Sequence, residues 1–176
     1  WLPQECNRLC NIFGHIMNYG DGVYGGMFVA GMYTAAYFED SDVAKVVNVG
    51  LACIPAESRY HKCISDVVQW HAENPDDWRA AWKKIEDKWQ DDTDCLPGNP
   101  VNIDAKLNGA YIVMGLLYGG GDLLKTLEVS TRCGQDNDCN PSSAAGVLCC
   151  MKGFNALAPE WTGGLAQIEN TKFSFT

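Results

Sequence analysis

Asp136 and Asp138 stand two residues apart in the segment Gly134-Gln135-Asp136-Asn137-Asp138-Cys139. A helix-start signal, Asn140-Pro141-Ser142-Ser143, follows directly. Close-set carboxylates suit hard divalent ions such as Mg²⁺ or Mn²⁺, and a loop feeding a helix can aim both side chains at one point. The same pair also reads as solvated loop acids or as helix-capping acids. His15 and Asp21 flank a short glycine-containing loop, Asn18-Tyr19-Gly20-Asp21-Gly22. Asp21 suits the wall of a cleft or a plain turn. His15 reads on its own as a satisfied core or surface histidine. His61 and His71 are ten residues apart, do not share a helical face and read as surface residues. Cys133 and Cys139 have no visible base beside them, and no local motif supports a Ser-His-Asp or Cys-His arrangement.

The elements that must position these groups are helical almost throughout. Residues 4–17 read as the end of a helix, and a second helix is expected over 23–38 with Gly25, Gly26, Ala30, Gly31, Ala35 and Ala36. Glycine costs ~1 kcal/mol relative to alanine inside a helix, so several in one helix point to close packing or a ligand. Ser41 is expected to cap the next helix, which Pro55 ends, and Ser58 opens another. Asn74-Pro75-Asp76-Asp77 predicts a helix start with Asn74 as cap and Pro75 in the first helical position. Trp78, Trp82, Ile85 and Trp89 then form an apolar stripe that suits helix packing rather than a sugar platform.

Residues 90–101 read as a polar loop, 103–118 as a long apolar helix broken by Gly119-Gly120-Gly121, and Asp122 as the cap of a helix ending at Arg132-Cys133-Gly134. The last helix is expected over 141–153. Asp66, Asp76, Asp77 and Asp104 read as caps and solvated acids. No strand alternation, repeat or heptad is present, so the expected fold class is all-α, an orthogonal multi-helix array.

Composition narrows the partners. The 176 residues with 47% hydrophobic content fit one domain, 1–176, with a real core. A net charge of −9 argues against nucleic acid, whose phosphate backbone calls for a basic surface. No run approaches the ~18 apolar residues of a membrane span. The nine cysteines lack paired CxxC zinc spacing and mostly sit beside apolar residues, so they read as reduced, buried thiols, which favours a reducing compartment such as the cytoplasm. The chain opens Trp1-Leu2-Pro3 without a starting Met, as expected of a piece of a longer protein.

Gly134 to Cys139, with the small-residue run Ser142-Ser143-Ala144-Ala145-Gly146-Val147-Leu148 behind it, resembles the second metal motif of the ADP-ribosylglycohydrolase family. That group includes the dinitrogenase-reductase-activating glycohydrolases and the J1 crystallins. The helix from Asp122 to Cys133 resembles the one leading into that motif. Gly14-His15, its loop and Gly22 to Ala36 resemble the family's segment of histidine, loop and small-residue helix.

The resemblance covers most of residues 10–153 and implies several things. The protein would cleave the glycosidic bond joining ADP-ribose to a protein side chain or a small acceptor. It would use two Mg²⁺ or Mn²⁺ ions. Asp136 and Asp138 would be catalytic metal ligands. Cys139 would stand where the family usually carries a threonine ligand. His15 and Asp21 would face the substrate. The family's T-D-D-type first metal motif and its glycine-rich pyrophosphate segment find no counterpart. Asp91-Asp92-Thr93-Asp94 imitates the former only in letters and reads as a solvated turn. The chain is therefore expected to be the C-terminal part of a longer glycohydrolase domain, carrying half a metal site. A non-catalytic binding or crystallin-like structural protein on the same scaffold is the alternative.

Overall fold

The computed structural model describes residues 2–90 and 103–172. Among them the chain is helical with no strand, as the absence of alternation predicts. The helices run α1 (Leu2–Gly14), α2 (Asp21–Ala36), α3 (Val43–Leu51), α4 (Arg59–Glu73), α5 (Trp78–Trp89), α6 (Ala105–Gly119), α7 (Leu123–Arg132) and α8 (Cys139–Lys152), with a short α9 (Pro159–Thr162) near the end. The expected loop at 90–101 and the Asp91–Asp94 cluster lie, apart from Gln90, outside the described residues.

The architecture is organised around α6. Every residue from Lys106 to Gly119 is buried. The helix packs against α2, α3, α4, α5, α7 and α8. That explains its composition: a helix apolar all round must be covered all round. Gly120 ends it in the left-handed conformation at φ 59°. Glycine lets neighbours come close. A Cβ on Gly109 would stand 2.5 Å from Tyr60 Cζ, and one on Gly31 would stand 2.7 Å from Cys53 Sγ. The α5 tryptophans serve packing, as the stripe predicts. Ile85 is fully buried, while Trp82 Nε1 donates to the Cys133 carbonyl at 2.9 Å and Trp89 Nε1 to Asp66 Oδ2 at 2.7 Å.

Four expectations need correction. Asp42 rather than Ser41 caps α3, accepting from Lys45 N at 2.9 Å. Glu39 engages Ser41 instead, through both its backbone N–H and its hydroxyl. Asn74 closes α4 rather than opening α5. Asp77 caps α5, accepting from Ala80 N at 3.0 Å, so Pro75 lies in the connection. Asp66 is no cap: it sits within α4 and holds Trp89 and Lys88. Asp104 does cap α6, but it is buried rather than solvated and pairs with buried Lys106 at 2.6 Å. Leaving either member of such a pair alone would strand a buried charge.

The eight described cysteines are free thiols. Cys53, Cys63 and Cys133 are buried as small apolar groups, whereas Cys139 is exposed. No helix among the described residues is long and apolar enough to cross a membrane.

Candidate metal centre

The loop between α7 and α8 is built to turn sharply. Gly134 has φ 95° and Gln135 φ 53°. The second value is uncommon for a residue with a Cβ. Asp136 then closes onto the start of α8: its Oδ1 accepts from Cys139 N at 3.2 Å, and its carbonyl accepts from Asn140 N at 3.0 Å. Asp138 occupies the N-cap position of α8, yet its side chain makes no capping bond. Every other aspartate N-cap does so: Asp42, Asp77, Asp104 and Asp122 each accept a backbone N–H three residues on. The capping reading therefore fails at Asp138. Its carboxylate points instead to the same place as that of Asp136.

One ligand atom each from Asp136, Asp138 and Cys139 lies within 4.8 Å of the others. Among the described residues this is the one such group of His, Cys, Asp or Glu side chains. Asp136 is half-buried, while Asp138 and Cys139 are exposed. A hydrogen bond shared with Asp138, together with donors from Cys139, holds the Asp136 carboxyl below its usual range. Asp136 and Asp138 in turn push the Cys139 thiol up. Burial does the same to Cys133. Both cysteines are thus kept as thiols, and it is the thiolate that attacks. Two carboxylates are a fitting donor set for Mg²⁺ or Mn²⁺. A protonated thiol is not. The start of α8 adds the positive end of a helix dipole, which favours acids there.

A cleft of about 480 Å³ lies between the α1–α2 connection and the start of α6. Asp21, Gly20, Ile103, Asp104 and Lys106 are among the residues lining it. Asp21 thus stands in a cleft wall, at the first residue of α2. Asp136, Asp138 and Cys139 are not part of that lining; the cleft is tied to their loop by Asp104, whose backbone N–H donates to Gln135 Oε1 at 3.3 Å. His15 is exposed just past α1, with Nδ1 against the Asn11 carbonyl at 2.5 Å, and is not part of that lining. His61 faces Ser65, and His71 packs edge-on against Tyr118 at 4.8 Å, so the two serve separate places on α4.

Sequence reasoning missed Asn108. It lies beneath the loop and bonds Asp136 and Asn140. The signal was an amide in the first turn of a mostly apolar helix, two residues after Lys106.

Fold and site together define an all-α protein with an acidic, oxygen-bearing loop at a helix mouth beside a cleft. The family model for ADP-ribosylglycohydrolase matches residues 2–173, and the chain belongs to that family of glycosidic-bond hydrolases. The match extends beyond residues 10–153, where the motifs carry the resemblance. No curated protein and no solved structure gives a significant match.

Proposed function

We propose that this chain carries the second half of the metal site of a hydrolase that releases ADP-ribose from a modified protein or small molecule. The observation that carries the reading is the convergence of Asp136 and Asp138, with Asp138 at an N-cap position yet making no capping bond. Asp136 and Asp138 would hold Mg²⁺ or Mn²⁺. A bound ion of this kind can orient ribose hydroxyls and lower the pKa of a water. The chain's own residues prepare the place. Cys139 N–H fixes one Asp136 oxygen, the Asp138 carboxylate makes no capping bond, and the α8 dipole offsets the crowding of two acids. Asp21 lines the neighbouring cleft, where the substrate is proposed to sit with His15 at its approach. Glycoside cleavage develops positive charge at the anomeric carbon, and an acidic site opposes that charge well.

The test is release of free ADP-ribose from a mono-ADP-ribosylated peptide in the presence of Mn²⁺. Asp138→Ala is expected to lose turnover, and a chelator to abolish it. Unchanged turnover in Asp138→Ala would count against the assignment. A panel of other ribosylated small molecules, assayed alongside, identifies the acceptor.

Cys139 favours a second reading, a non-catalytic binding or structural protein on the same scaffold. Its thiol replaces an oxygen donor at the site. Cys139→Thr separates the two. A catalytic site gains Mn²⁺ affinity and turnover from the added oxygen, whereas a structural protein releases no ADP-ribose in either form.

A further inference from the structure

We infer that Asn108 is a positioning residue for the Asp136–Asp138 loop, an assignment that rests on the metal-site reading above. Asn108 lies on α6 with 8% of its surface exposed. Its Oδ1 accepts from Asp136 N at 3.3 Å and from Asn140 Nδ2 at 2.6 Å. Its Nδ2 donates to the Asp104 carbonyl at 2.9 Å and to Gln135 Oε1 at 3.4 Å. A side-chain amide offers two donors and two acceptor positions, so all of its capacity is used. One bond returns to the N-cap residue of α6; the other three fall on Gln135, on Asp136 and on the first turn of α8.

Packing of α6 does not ask for an amide here. Asparagine is a poor helix former, and burying an amide is unfavourable unless it is fully bonded. An apolar residue would serve the core better. The loop does ask for one. Gln135 holds φ 53°, a conformation that persists only where the surroundings enforce it. Asn108 grips that residue on one side and Asp136 on the other. The direction of the two carboxylates is therefore set from beneath, by a side chain that does not touch the ion's place.

The experiment compares Asn108→Ala with Ile64→Val, a core change away from the loop. Two readouts are taken on the purified chain: amide hydrogen exchange at Asp136 in metal-free protein, and titration with Mn²⁺ alone. Supporting groups behind metal ligands typically set affinity by 10–100-fold. Asn108→Ala is expected to lose protection at the Asp136 amide and to weaken Mn²⁺ binding by about that factor, while Ile64→Val keeps both. Should Asn108→Ala fail to fold, Asn108→Ser carries the same readouts. Wild-type protection and affinity in the Asn108 variant, or equal losses in Ile64→Val, would overturn the assignment. Absence of Mn²⁺ binding by the unaltered chain would instead sink the metal reading. The exchange measurement still decides whether Asn108 holds the loop.

Discussion

Asp138→Ala and Asp122→Ala should part company in a way that separates a ligand from a cap. Both residues sit at helix N-cap positions. Asp122 accepts from Lys125 N at 2.7 Å, whereas Asp138 makes no such bond. Removing a working cap costs about 1 kcal/mol. For a chain of this size that lowers the thermal midpoint by roughly 2–4 °C. Asp138→Ala removes no cap and should stay within about 0.5 kcal/mol of the parent in metal-free buffer. Mn²⁺ reverses the ranking. At a hundred times its dissociation constant, a ligand stabilises the folded state by about 2.7 kcal/mol, or roughly 5–10 °C here. The parent and Asp122→Ala should both gain that shift, and Asp138→Ala should gain none. Tryptophan fluorescence or calorimetry reads both quantities. A metal-free loss in Asp138→Ala equal to that of Asp122→Ala would show that its carboxylate caps α8 after all. A full Mn²⁺ shift in Asp138→Ala would show that it is no ligand.

Gly109→Ala should destabilise the protein by about 2 kcal/mol, because the new Cβ collides with the buried Tyr60 ring. Gly26→Ala, whose Cβ would meet nothing within 4 Å, should stabilise α2 by up to ~1 kcal/mol. Thermal midpoints that rise in both variants would refute the close approach of α4 to α6. Burial holds the His71 pKa below its ordinary value of 6.5. The unfolded chain therefore takes up this proton first as pH falls. Stability from His71 is present above pH 6.5 and declines as pH drops through and below it. His71→Phe should flatten the midpoint between pH 7.5 and 5.5, and an unaltered slope would disprove the role.

Helices whose signals are local were legible from residues alone. Ser58, Asp104 and Asp122 each cap where the spacing predicts, because a cap reads a backbone N–H only three residues away. Where two capping residues adjoin, the outcome turned on a third partner. Glu39 occupies Ser41, which leaves the cap to Asp42. Asp66, which reads from sequence as a cap or solvated acid, and Asp104, a true cap that reads as solvated, differ from expectation for a related reason. The partner that buries Asp66 is Trp89, a whole helix away, and what buries Asp104 is the packing of α6 among its neighbours. The carboxylate pair was legible as a motif, but the split within it was not: Asp136 accepts a backbone N–H at the start of α8 while Asp138 makes no capping bond, and that depends on how Gln135 and Asn108 turn the loop. Asn108 itself left only a faint mark, an amide in an apolar run, and its bonds to residues 27 to 32 positions away come from tertiary structure.

A rod wrapped by six neighbours cannot lose one of them quietly. Each departure from α6 would wet apolar surface that the remaining helices share. Heat or denaturant should thus take the assembly apart in one cooperative event, with circular dichroism and fluorescence tracing the same curve. Because the floor of the carboxylate loop is a side chain of that same rod, ion affinity and global integrity would vanish together.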